Sequence, residues 1–151
     1  MKKLVFILLI ACTSVQAQVL HPVKWAYGAK RTGKTEAVVF IKATIDDGWH
    51  IYSVDQKPGG PLKTSFEFSP SGDFEIVGNV SEPTPATRFE KVFNMNVNYF
   101  EHEVIFQQKV SLRQAQADKA LVFVLGSVSF MCCNDHQCLA PETVNFSVPI
   151  K

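Results

Sequence analysis

Leu121-Val122-Phe123-Val124-Leu125-Gly126-Ser127-Val128-Ser129-Phe130-Met131-Cys132-Cys133 holds the longest strand candidate of the chain, and it runs straight into a cysteine cluster. Successive side chains of a strand point to opposite faces. Val122, Val124, Val128, Phe130 and Cys132 therefore share one face, and Ser127, Ser129, Met131 and Cys133 share the other. The first set reads as a core surface on which Cys132 packs as a small hydrophobe. Cys133 is then expected to point toward the small, polar side.

On either side of this stretch the sequence repeats the pattern: short apolar or alternating runs, broken by turn residues, with no long helical period. Val23 to Tyr27, Glu36 to Ile45, Trp49 to Ser53, Ser65 to Ser69, Phe74 to Val77 and Thr143 to Val148 read as strands. Val97 to Val110 holds one or two more, with Val104, Phe106 and Val110 on one face. Between them lie a turn region from Gly28 to Gly33, the Asp46-Asp47-Gly48 turn and the Pro58-Gly59-Gly60-Pro61 loop. Glu82-Pro83-Thr84-Pro85 opens an irregular region reaching about Asn96, and Gln114 to Lys119 is a polar connection with room for one helical turn. Seven to nine short strands at regular spacing predict an all-β, immunoglobulin-like sandwich. The intersheet Cys…Trp…Cys arrangement of antibody domains is absent.

The 151 residues suit one domain with a core of its own. Residues 1–17 read as a secretory leader: Lys2 and Lys3, an apolar Leu4–Ala11 segment too short to span a bilayer, and a small-residue exit at Val15-Gln16-Ala17. A competing lipoprotein reading makes Cys12, after Leu9-Ile10-Ala11, a lipidated first residue; the chain contacts a membrane only in that case. Both readings take the chain out of the cytoplasm, to the periplasm or beyond, and leave residues 18–151 as the domain. Fifteen basic residues against fourteen acidic ones give +1, which becomes −1 without Lys2 and Lys3. That balance argues against nucleic acid as a partner.

Cleavage after Ala17 leaves three cysteines, Cys132, Cys133 and Cys138, in an oxidising compartment. An odd count leaves one thiol free or paired with another molecule. Four residues separate Cys133 from Cys138, so an extended chain would hold them roughly 17 Å apart, far beyond a disulfide's span. The segment must fold back for the pair to close, and Asn134 and Asp135 tolerate a tight reversal. The reading is a reversible dithiol/disulfide pair at the tip of a β-domain. Three others compete: an inert Cys133–Cys138 staple, a vicinal Cys132–Cys133 disulfide, and a soft metal site for copper(I) or zinc from Cys133, His136 and Cys138 with Met131. No cofactor is expected on the first reading. The metal alternative makes the chain a non-enzymatic exported binding module.

Cys133-Asn134-Asp135-His136-Gln137-Cys138-Leu139-Ala140-Pro141-Glu142 and the aromatic Gly48-Trp49-His50-Ile51-Tyr52 strand resemble the N-terminal periplasmic domain of the DsbD family of thiol:disulfide interchange proteins. The resemblance implies an immunoglobulin-like sandwich. It also implies that electrons arrive from a thioredoxin-like or membrane-embedded disulfide reductase and leave to oxidised periplasmic thiol proteins. Carried over by position, Cys138 matches the cysteine that joins partners and Cys133 the resolving one. Family spacings one residue longer would select Cys132 instead. Phe93, or else Phe89, matches the aromatic cap over the disulfide, and His50 and Tyr52 fall beside the site. The family's membrane and thioredoxin-like domains have no counterpart in this sequence, so the donor is expected on another polypeptide. No Lys or Arg lies in the cysteine stretch, and Asp135 and Glu142 would oppose thiolate formation. A thiol sluggish on its own and reactive inside a complex is the expectation.

Overall fold

The computed structural model describes residues 20–113 and 121–151, and these contain strands and no helix. The leader, Cys12 and the Gln114–Lys119 connection lie outside the described residues. Eleven strands follow in order: β1 (Val23–Arg31), β2 (Glu36–Ile45), β3 (His50–Tyr52), β4 (Ser65–Phe68), β5 (Phe74–Ser81) and β6 (Ala86–Glu90). Then come β7 (Met95–Phe100), β8 (Glu103–Leu112), β9 (Val122–Phe130), β10 (Cys132–Cys133) and β11 (Glu142–Ile150). They form three antiparallel sheets, ordered β1-β2-β8-β5, β11-β9-β4 and β10-β3-β7-β6.

The first two sheets supply most of the core. In β2 the buried residues alternate along Ala37, Val39, Ile41, Ala43 and Ile45; in β8 they alternate along Val104, Phe106, Gln108, Val110 and Leu112. Val122, Val124, Val128 and Phe130 of β9 and Phe146, Val148 and Ile150 of β11 meet them, with Ile51 and Phe100 arriving from the third sheet. A hydrophobic face repeating every second residue can be buried this way only by a second sheet laid across it. Trp25 joins through edge-on contact with Phe130 at 5.2 Å between ring centroids. Pro149 lies in β11, a strand at a sheet edge, which is where a proline is accommodated in a sheet.

Several boundaries differ from the sequence reading. β1 continues through Gly28 and Ala29 to Arg31, because every residue from Val23 to Arg31 pairs with β2; the turn begins only at Thr32. The region expected to be irregular from Glu82 to about Asn96 contains β6 and the start of β7, paired from Ala86↔Tyr99 to Glu90↔Met95. Pro83 and Pro85 confine the irregularity to the few residues before β6. β5 extends to Ser81 by way of a bulge after Val77 that uses Gly78 at φ 69°. Gln108, buried in β8, spans this irregularity by donating from Nε2 to the carbonyls of Val77 and Lys109.

Candidate functional site

The apolar run of β9 breaks at Met131 and resumes as the two-residue β10, which leaves β9's sheet for the third one. There Cys132 pairs with Ile51 and Cys133 with His50 of β3. Cys132 faces the main core beside Val128 and Phe130, as strand alternation predicts. Cys133 also lies on the opposite face, but that face is neither polar nor open. It is 1% exposed and packs in a second, smaller core with Tyr52 and Val97, flanked by Phe93, Met95, Tyr99 and Met131. The sequence reading placed Val97 and Tyr99 in a strand but left Phe93 and Met95 in a stretch read as irregular, and so missed part of this cover.

Past Cys133 the chain reverses over Asn134–Gln137. Asn134 N donates to Gln137 O at 2.9 Å, and the Asn134 side-chain Oδ1 accepts from the backbone N–H of His136 at 2.9 Å and of Gln137 at 2.8 Å. One asparagine thus ties both ends of the turn. Leu139 N donates to Cys132 O at 2.9 Å, so Cys133 and Cys138 face each other between two bonded rungs. Their Cα atoms are 4.0 Å apart and their sulfurs are bonded. Cys132 remains a free, buried thiol. Burial pushes that thiol up to about 12. Cys138, unlike Cys133, is exposed.

The β6–β7 hairpin forms the other wall of a cleft beside the disulfide. Phe89, Lys91 and Val92 line it together with Tyr52, Arg88 and residues 133–138. Phe93, expected as the cap, packs against the small core that holds Cys133; the fallback Phe89 is 58% exposed on the cleft wall. His136 lines the cleft with an exposed side chain. With the disulfide closed, Cys133 and Cys138 of the alternative metal set are bonded to each other, and no metal-holding group of His, Cys, Asp and Glu occurs among the described residues.

Beneath the cleft lies a polar cluster of which sequence reading found only His50 and Tyr52. Arg88 reaches from β6 and donates to Glu90 Oε1 from Nη2 at 2.7 Å and from Nε at 2.9 Å. Its Nη2 also lies 2.9 Å from His50 Nε2 and 3.2 Å from Nδ1. The guanidinium sits 4.7 Å over the Tyr99 ring and 3.8 Å from Asp135 Oδ1 in the cysteine hairpin. A permanent cation therefore stands beside a stretch that contains none in sequence. Tyr52 Oη lies 3.2 Å from His50 Nε2. Burial, reinforced by Arg88 and opposed by Glu90 and Asp135, lowers His50 to about 4. Burial and then Glu90 push Tyr52 up to about 12. Arg88 and Glu90 could have been found only by recognising the Ala86–Glu90 strand behind its prolines. Glu142 pairs with His21 at 3.8 Å and also adds to the upward push on the Cys132 thiol.

Residues 16–149 match the family model described as the N-terminal domain of the thiol:disulfide interchange protein DsbD. The chain belongs to the DsbD N-terminal family. Among solved structures it is similar to the N-terminal periplasmic domain of ScsB from Proteus mirabilis. The TM-score is 0.53 at 14% identity, over 85% of this chain and 44% of that one. The chain thus spans under half the length of that ScsB chain, and the likeness is one of fold. A weaker likeness, TM-score 0.46 at 9% identity, covers 89% of this chain and 96% of a yeast GGA1 GAE domain, and it carries no argument. No curated protein matches the chain. Membership of the DsbD N-terminal family and the Cys133–Cys138 disulfide together support a thiol–disulfide exchange module with thiol-redox partners in general.

Proposed function

We propose that the chain is an exported electron relay. A thioredoxin-like or membrane-embedded disulfide reductase reduces the Cys133–Cys138 pair, which in turn reduces disulfide-bearing partners outside the cytoplasm. The observation that carries this reading is the unequal burial of the two sulfurs: Cys138 is exposed at the cleft, whereas Cys133 is 1% exposed beneath it. Exchange requires a thiolate to approach a sulfur in line, and only Cys138 can be approached by another protein.

Starting from the reduced pair, the Cys138 thiolate attacks one sulfur of the partner's disulfide and expels the other as thiolate. The Cys133 thiolate then attacks Cys138 Sγ, closing the intramolecular disulfide and expelling the second partner sulfur. The partner gains two electrons and two protons; the pair loses them. The donor's thiolate attacks Cys138 to run the sequence backwards. Phe89 and Val92, which line the same cleft as Cys138, offer apolar contact to an arriving protein. Export rests on the leader ending at Ala17.

Cys133→Ser is expected to accumulate a mixed disulfide through Cys138 with a thioredoxin-like donor, seen as a thiol-sensitive band on non-reducing gels. Cys138→Ser should trap nothing. The opposite pattern would overturn the assignment of roles, and reduction of neither wild type nor variant by such a donor would remove the relay.

A further inference from the structure

The Tyr52–His50–Arg88 row runs from the wall of the Cys133 sulfur out to a charged side chain, and nothing in the exchange chemistry above uses it. We propose that Tyr52 is the hydrogen-bond donor to the Cys133 sulfur once the disulfide is open, with His50 and Arg88 as positioning residues that aim its hydroxyl hydrogen. This rests on the exchange reading of the same site.

Cys133 must become a thiolate to close the disulfide, yet it lies in a pocket where water cannot solvate the charge. Burial alone disfavours an ionised thiol, as the neighbouring Cys132 illustrates at about 12. Some donor has to replace water. Tyr52 packs in the same small core as Cys133 and lines the cleft with both cysteines. His50, the cross-strand partner of Cys133, is 1% exposed, and its Nε2 lies 3.2 Å from Tyr52 Oη. Arg88 Nη2 lies 2.9 Å from that same Nε2 and 3.2 Å from Nδ1.

A neutral imidazole carries one N–H and one lone pair. With Nε2, the nearer nitrogen, accepting from Arg88, its lone pair is taken, and the phenolic hydrogen of Tyr52 is left to donate to sulfur. His50 and Tyr52 keep the required protonation states, neutral and protonated, across the neutral range. The other charged groups facing the row are Glu90, 3.7 Å from His50 Nε2, and Glu101 and Asp135, 4.0 Å and 3.8 Å from Arg88 Nη1. These acids temper the guanidinium's field at a distance, so the effect on sulfur is transmitted by the hydrogen bonds. In the closing step the Cys133 thiol loses its proton to water in the cleft and attacks Cys138 Sγ. The electron pair of the broken bond leaves on the partner's sulfur, which takes a proton from solvent.

The test is two-phase release of the coloured thiolate from bis(nitrobenzoate) disulfide by the reduced protein. The first equivalent reports attack by Cys138, the second attack by Cys133 on the mixed disulfide. Tyr52→Phe should slow the second phase relative to the first by about tenfold near pH 7 and move its pH midpoint up by about one unit. Arg88→Met should move that midpoint in the same direction, and Arg88→Lys should restore part of the shift. A second phase whose pH profile Tyr52→Phe leaves in place overturns the donor row alone. Wild-type protein that never releases a second equivalent overturns the exchange reading itself.

Discussion

Gly126 occupies the middle of β9 with no room for a side chain. A Cβ there would come 2.4 Å from the Glu67 carbonyl oxygen of β4 and 2.6 Å from the Phe146 ring of β11. Backbone on one side and a core aromatic on the other cannot both yield. Gly126→Ala should lower stability by about 1–3 kcal/mol, read as a reduced urea midpoint at unchanged slope. His50 makes a different prediction at the same scale. Folded His50 takes up a proton only near pH 4, whereas an unfolded histidine does so near 6.5. Between those values the unfolded chain binds more protons, so stability falls as pH drops from about 6.5 to about 4, by up to roughly 3 kcal/mol. Above that window His50 adds no pH dependence. Urea unfolding across the window should show the loss, and His50→Gln should flatten it.

The cysteine hairpin's strand pairing to the third sheet consists of the two residue pairs of β10 with β3. Its disulfide closes a very short loop, so on the chain-entropy model it contributes only about 2 kcal/mol. Reduction should therefore lower the urea midpoint modestly while the far-ultraviolet circular dichroism keeps its β signature; collapse of that signature would make the bond a structural staple. Apolar, β-branched runs made β2 and β9 legible in the sequence and the shared face of Val104, Phe106 and Val110 did so for β8, while alternation along β9 correctly sent Cys132 into the core. Alternation did not reveal what covers the other face. β6 carries exposed residues at most positions, having little face to bury, and its neighbouring prolines masked it. With β6 went Arg88 and Glu90, and with the hairpin into β7 went Phe93 and Met95 of the cover over Cys133. Periodicity is a record of burial, and a strand at the rim of a sheet leaves only a faint one.

At the scale of the whole molecule, the sandwich was readable because three facts agreed: short strands, regular turns and no helical period. The cysteine pair was readable from spacing and turn residues, and the family resemblance assigned its two roles. Which sulfur is open to other molecules depends on how the third sheet folds over β10, and no local stretch encodes that. Export makes one prediction of its own. If the leader is removed after Ala17, the intact mass of the exported protein corresponds to a chain beginning at Gln18 with three cysteines; a lipid-modified mass beginning at Cys12 would place it on a membrane instead.

One sulfur is roofed over and the other stands at the doorway, so a foreign chain can be stitched to this molecule at a single atom. Two clients cannot be held at once. Whichever one is held has its eviction built in, because the roofed sulfur waits one bond away and answers to no other chain.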